Sequence, residues 1–178
     1  MLSTVAFALA ACQPDSCRIK GEAKEFEDST LLYLSTDLRD GHPFDSIRVD
    51  DGRFYYRLET DSTCLCLLYP ATKHPMEGVT FFTERGNVYI ELSPGTAASR
   101  VSGTVINNEW QALNDRVSHC DQQLRETMQE AKDSIIIRRL YADVDSLYEG
   151  VNQAIRETAL RNRDNALGRF INRHYNNL

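Results

Sequence analysis

The sequence predicts an α+β protein, with an antiparallel β-sandwich or open barrel followed by a long antiparallel helical pair. Three observations carry that expectation. From Cys17 to Gly103 the apolar residues recur in short runs, mostly with period two. Two of the junctions between runs, Asp51-Gly52 and Gly86-Asn87, are two-residue turn signals. From Val105 the apolar period changes to about 3.6. Strands so short and so evenly spaced stack as two layers or curl into an open barrel.

The first run is "CRIKGEAKEF" (17–26), followed by "TLLYLST" (30–36). In "SIRVDDGRFYYRL" (46–58), a turn at Asp51-Gly52 pairs Val49 with Phe54 and Ile47 with Tyr56, so four apolar side chains share one face. Next comes "TCLCLLY" (63–69), apolar on both faces and so expected as a covered central strand. "TFFTERGNVYIEL" (80–92) reads as a second hairpin, with Phe81 opposite Leu92 and Thr83 opposite Ile90. "SRVSG" (99–103) closes this half.

In the second half, Trp110, Leu113, Val117, Cys120, Leu124 and Met128 step along one helical face. Leu140, Val144, Leu147, Val151, Ile155 and Ala159 form a second stripe, and Asp133-Ser134 supplies the break and a cap. A third helical piece at 165–177 offers Leu167, Phe170 and Ile171 but no evident partner for them. The division that follows is a leader at 1–11, a tether at 12–16, a β domain at 17–104 and a helical hairpin with a short third helix at 105–178.

Composition narrows the function classes. The 178 residues are 42% hydrophobic and 26% charged with five prolines, which is enough for a real core. A net charge of −6 with scattered arginines argues against nucleic acid as a partner. The apolar start "MLSTVAFALAAC" is too short to cross a bilayer, which takes roughly 20 apolar residues. Its end, Leu9-Ala10-Ala11-Cys12, resembles the lipobox of bacterial lipoproteins, without a Lys or Arg ahead of the apolar core. That resemblance implies cleavage before Cys12, a lipid on its sulfur and residence in the cell envelope as an outer-membrane lipoprotein facing the periplasm.

The other polar candidates have bland alternatives. Cys64 and Cys66 stand at i and i+2 on a strand and are expected to pack as small apolar residues. A bridge from one of them to Cys17 is the alternative in an oxidising compartment, with Cys120 packing on its helix. His42, His74, His119 and His174 show no ligand spacing, and neighbours such as His119 and Cys120 diverge by about 100° on a helix. Asp37, Asp40 and Asp45 around Gly41 fit no calcium-loop pattern. Tyr55, Tyr56 and Trp110 could form a sugar platform, but the pattern assigns Tyr56 and Trp110 to the core. No metal, cofactor or catalytic residue is expected.

One resemblance gathers these features. The lipobox, "GHPFDSIRVDDGRFYYR" (41–57), "GNVYIEL" (86–92) and "RVSGTVINNEWQALND" (100–115), in that order before a helical pair, resemble domain of unknown function 4369 over nearly all of the mature chain. The "DS…V.DG.F" and "V.G…N…Q" spacings are its most specific parts. The resemblance implies an N-terminal domain of Bacteroidota lipoproteins, usually ahead of a thioredoxin-like or peroxiredoxin-like domain of the thiol–disulfide interchange group. Redox chemistry in such proteins sits on a downstream Trp-Cys-x-x-Cys segment, and no two cysteines in this sequence have C-x-x-C spacing. The leading expectation is a non-catalytic, lipid-anchored docking or spacer module with a protein partner in the envelope. The alternatives are an accessory or severed part of a thiol–disulfide oxidoreductase, and a glycan- or peptide-binding lipoprotein.

Overall fold

The computed structural model describes residues 16–39, 41–73, 77–95, 99–130 and 134–175, and the side chains of all of these outside 127–143. Its strands are β1 (Ser16–Glu22), β2 (Leu31–Ser35), β3 (Pro43–Arg48), β4 (Arg53–Glu59), β5 (Leu65–Pro70), β6 (Val79–Phe82), β7 (Gly86–Glu91) and β8 (Arg100–Ser102). Helices α1 (Val105–Glu130), α2 (Ser134–Arg161) and α3 (Ala166–His174) follow. The strands form two four-stranded sheets, ordered β4-β1-β7-β8 and β3-β2-β5-β6. Neither closes into a barrel, and the arrangement is the sandwich-like α+β fold that the periodicity implies.

Both expected hairpins are corners between the sheets. The Asp51-Gly52 turn forms, with φ of 48° and 65° and paired backbone bonds between Asp50 and Arg53 of 2.8 and 2.9 Å. Pairing stops at that one bridge, because β3 continues along β2 and β4 along β1. Ile47, Val49 and Phe54 are buried as the pattern requires, but on the inner faces of two sheets instead of one face of a hairpin. Likewise β6 pairs with β5 and β7 with β1 and β8, so Phe81–Leu92 and Thr83–Ile90 are not cross-strand pairs. The chain changes sheet across Thr83–Arg85 and turns at Gly86, whose φ of 133° suits glycine. Folding each apolar run over the other encloses the core from both sides, which a flat hairpin cannot do.

Nor is the β region wholly antiparallel. β1 lies parallel to β7, with Ile19 opposite Val88 and Gly21 opposite Ile90, at the centre of the first sheet. Gly21 is needed there because a Cβ would fall 1.9 Å from the Phe54 ring packed over it. β5 is central in its sheet, as its two-sided apolar pattern predicts, and Cys66 through Pro70 are all buried. The loop after β2 contributes to that cover, and the Tyr69 hydroxyl donates to the Gly41 carbonyl.

The helices close the open side at β6 and β8. Asn107 accepts from the Phe82 N–H at 2.7 Å and donates to the Phe82 carbonyl at 2.8 Å, while Trp110 Nε1 donates to the Thr80 carbonyl at 3.1 Å. On β8, the Val101 N–H donates to Gln111 at 2.7 Å and the Gly103 N–H to Asn108 at 3.0 Å. The α1 side chains thus occupy backbone groups that edge strands would leave open. Ion pairs Arg161–Glu109 (3.1 Å) and Arg116–Glu157 (3.6 Å) run between α1 and the antiparallel α2.

Burial along the helical stripes is graded. Trp110, Leu113, Ile155 and Ala159 are buried beside the sheets, whereas Val117, Cys120, Leu124, Val144, Leu147 and Val151 are half-buried. Met128, Leu140 and Asp133 lie outside the described side chains. The third helix does find a partner. Asn165 caps it by accepting from the Leu167 and Gly168 N–H groups, Leu167 and Ile171 are buried, and Phe170 packs edge-on against both Phe82 and Trp110. Sheets and helices share one apolar core.

Candidate functional site

The outer face of the first sheet holds an open trough of about 840 Å³. Among the described residues its lining comes from β1, β3, β4, β7, β8 and the Asp51 turn, and none of it from a helix. Alternation puts Lys20 and Glu22 outward while Cys17 and Ile19 face the core. Register then sets Tyr55, Lys20, Tyr89 and Ser102 in one row across four strands, and Arg53, Glu22, Glu91 and Arg100 in the next. Tyr55 and Tyr89 are two strands apart, about 10 Å of sheet. The Lys20 ammonium sits 5.9 Å from the centre of the Tyr89 ring. Tyr55 is 55% and Tyr89 46% exposed, so both side chains are part of the open surface.

The predicted residues fall in different places. Cys12, His74 and Asp40 lie outside the described residues. Tyr55 is on the trough, while Tyr56 points the other way and its hydroxyl donates to Asp45. That bond first, and the Ser46 backbone N–H second, hold the Asp45 carboxyl below its usual range. Burial, then the same carboxylate, pushes the Tyr56 phenol up to about 12. Trp110 is in the core, so the three-ring sugar platform is not assembled. Tyr89 takes the place beside Tyr55. Its period-two position in "GNVYIEL" marks it as outward, but only the parallel β1–β7 register brings it near Tyr55.

Ser35, Asp37 and His42 come together in the loop after β2, and they do not make a nucleophilic triad. Ser35 is fully buried, donates to the His42 carbonyl at 2.7 Å and accepts from the Asp37 N–H at 2.9 Å. The imidazole instead meets Asp37 Oδ2 at 2.9 Å. A serine hydroxyl committed to main chain has no base in reach. His119 is exposed on α1, and His174 contacts the Phe170 carbonyl and ring at the end of α3. Among the described residues no group of three or more His, Cys, Asp or Glu is arranged to hold a metal ion.

The cysteines differ from expectation in one respect. Cys17 and Cys66 are buried, but Cys64 precedes β5 and is exposed, so it does not pack as a core residue. Its backbone is tied to Thr83, whose N–H donates to the Cys64 carbonyl and whose hydroxyl accepts from the Cys64 N–H. This anchors the residue at the sheet margin, with its sulfur 3.4 Å from the Thr83 hydroxyl. All four described cysteines are free thiols, and Cys120 is half-buried on α1.

Geometry thus defines a class: a two-sheet α+β domain with an open, mixed-charge trough and a helical clasp on its edge strands. The chain belongs to the family described as Domain of unknown function (DUF4369), which matches residues 17–110. The match runs from β1 to the Trp110 turn of α1, so it spans both sheets and stops short of the helical pair that the sequence resemblance included. No curated protein and no solved structure matches the chain. The "V.G…N…Q" residues Val101, Gly103, Asn107 and Gln111 lie in the helix clasp, which makes that signature a structural one.

Proposed function

We propose that this chain is a non-catalytic envelope module, held on a lipid at Cys12, that docks a protein partner in the trough of its first sheet. The observation that carries the reading is the Tyr55–Lys20–Tyr89 row beside the row Arg53, Glu22, Glu91 and Arg100, two central carboxylates flanked by two guanidinium groups. Tyrosine supplies large contact area with few rotatable bonds and is enriched at protein interfaces. Glu22 already meets Lys24 and Arg100 meets Asp115, which leaves Arg53 and Glu91, without an ion pair among the described residues, to complement a polypeptide surface carrying both signs.

A photo-crosslinking residue at Tyr89 tests this in cells expressing the anchored protein. A discrete protein adduct is expected from that position, lost on Lys20→Glu and absent when the same group replaces exposed Arg163 on the α2–α3 turn. Adducts from both positions alike, or none from Tyr89, would count against the docking face. An adduct with carbohydrate alone would favour the glycan-binding alternative.

A second reading is an accessory to a thiol–disulfide oxidoreductase of Bacteroidota. It rests on the redox domains that the resemblance associates with this family, and on the exposed free thiol of Cys64.

A further inference from the structure

Of the strands at the edges of the two sheets, α1 serves β6 and β8, whose backbone groups its side chains take up. The other side of the sandwich is different. Among the described residues β3 pairs with β2 alone, and β4 with β1 alone apart from the Asp50–Arg53 bridge. An unpaired strand edge is a template for a further strand.

The two open edges are not equivalent. β3 begins at Pro43, meets a register shift between Leu34 and Ser35 on its neighbour, and holds Asp45 on the side of buried Ile47, where it accepts from the Tyr56 hydroxyl. A proline, a bulge and an inward charge are devices that blunt an edge. β4, "RFYYRLE", has none of them. Its free backbone groups follow from its neighbours. The Arg53 N–H donates to the Asp50 carbonyl at 2.9 Å and its carbonyl accepts from Asp50 at 2.8 Å, so both point away from β1. The Gly52 carbonyl, one residue earlier, accepts from the Ala23 N–H just past β1. Alternation then turns the backbone groups of Phe54, Tyr56 and Leu58 to β1, and those of Tyr55, Arg57 and Glu59 to the open side.

We propose that β4 pairs antiparallel with β4 of a second copy about a two-fold axis at Tyr56, joining the first sheets of two molecules into one. Hydrogen-bonded pairs must fall among the residues whose groups are free, which restricts the register. Centring on Tyr56 bonds Tyr55 to the second copy's Arg57 and sets Arg53 opposite its Glu59, on both sides of the axis. Arg57 then lies against a tyrosine ring, and Glu59, already 2.7 Å from its own Arg57, gains a second guanidinium. Arg53 has no ion pair of its own among the described residues, so this contact supplies one. Centring on Arg57 would oppose two Arg57 side chains, and centring on Tyr55 would oppose Arg53 to Arg57; like charges directly opposite are destabilising. On the inner face the half-buried Tyr56 meets its counterpart and Leu58 meets Phe54, which covers the apolar margin of the core. This self-complementarity is what selects a second copy as the occupant. The contact is isologous and uses up the edge, so assembly stops at the dimer. It is separate from docking in the trough, although both involve Tyr55 and Arg53: crosslinking from Tyr89 reports one and oligomeric state the other.

Sedimentation equilibrium of the full Cys12→Ala chain tests the pairing. The parent should be dimeric. Arg53→Glu makes both cross-axis pairs acidic and Glu59→Arg makes both basic, so each variant alone should dimerise at least tenfold more weakly. An equimolar mixture of the two variants restores opposite charges at both pairs and should dimerise as the parent does. A parent that stays monomeric up to about 100 μM, or variants that associate alike alone and mixed, would overturn the proposal. The register is read by mild oxidation and peptide mapping. Tyr56→Cys should link to its counterpart across the axis, while Leu58→Cys, whose counterpart is displaced along the strand, should not. A link at Leu58→Cys and none at Tyr56→Cys would overturn the register, and if Tyr56→Cys does not fold, the charge mixture still decides.

Discussion

Asn107 shows how much of the fold rests on single polar side chains. It is fully buried and completes both backbone groups of Phe82, the last residue of an edge strand. A buried group left unpaired costs about 1–3 kcal/mol. Asn107→Ala should therefore lower stability in urea by about 2–4 kcal/mol, while Asn108→Ala, whose bond to Gly103 is at the surface, should cost about 1 kcal/mol or less. Equal effects would mean that the edge of β6 is satisfied in another way. The surface pair Arg100–Asp115 makes a pH-dependent contribution. Its bidentate contact of 2.7 and 3.2 Å holds the Asp115 carboxyl below its usual range. Stabilisation is present above the unfolded carboxylate value and lost as pH falls through the lower folded one. With both groups about half exposed, Arg100→Ala should cost less than about 1 kcal/mol at pH 7. The difference from the parent should vanish in acid, as pH-dependent melts would record.

At the scale of elements, α3 is joined to the core by an aromatic triangle. Phe82 on β6, Trp110 on α1 and Phe170 on α3 meet edge-to-face at centroid distances of 5.9, 6.1 and 5.7 Å. Removing the buried indole with Trp110→Ala should cost about 3–5 kcal/mol and visibly lower the melting temperature. Phe170→Ala in the same background tests whether the third helix docks as an element. A double-mutant cycle between the two should return a coupling of about 0.5–1.5 kcal/mol. Additive losses would show that α3 packs without using Trp110. The interhelical ion pairs lie on the exposed sides of α1 and α2 and contribute little beside this contact.

For the whole molecule, the proposed anchor and the proposed absence of catalysis are separable. Expressed with its leader in a Gram-negative host, the chain should enter the detergent phase on partitioning, and Cys12→Ala should abolish this. Identical fractionation of both as soluble protein would remove the lipid from the proposal. Among the described residues no helix is long and apolar enough to cross a membrane, so attachment by lipid does not compete with a spanning segment there. The Cys12→Ala protein should also leave insulin reduction by dithiothreitol at its background rate. Its one exposed described thiol, Cys64, has only buried thiols to resolve it, both pushed up to about 12. Turnover lost when Cys17, Cys64, Cys66 and Cys120 become serine would move redox catalysis onto this domain.

What the sequence alone determined is local. Alternation identified the strand segments and the buried residues Ile47, Val49 and Phe54, the Asp51-Gly52 turn is present, and the 3.6 period marked the helices. These features depend on neighbouring residues, whose φ/ψ preferences and side-chain directions are written in order along the chain. Partner choice was decided only by the tertiary structure. Two apolar runs flanking a tight turn can face each other in one sheet or face across a core in two, and the same alternation serves both. Here the greater burial of a closed core placed β3 and β4, and β6 and β7, on opposite sheets. The candidate sites depend on those long-range registers. Tyr55 and Tyr89 are far apart in sequence, and they are gathered by contacts through β1 that no short stretch of sequence encodes.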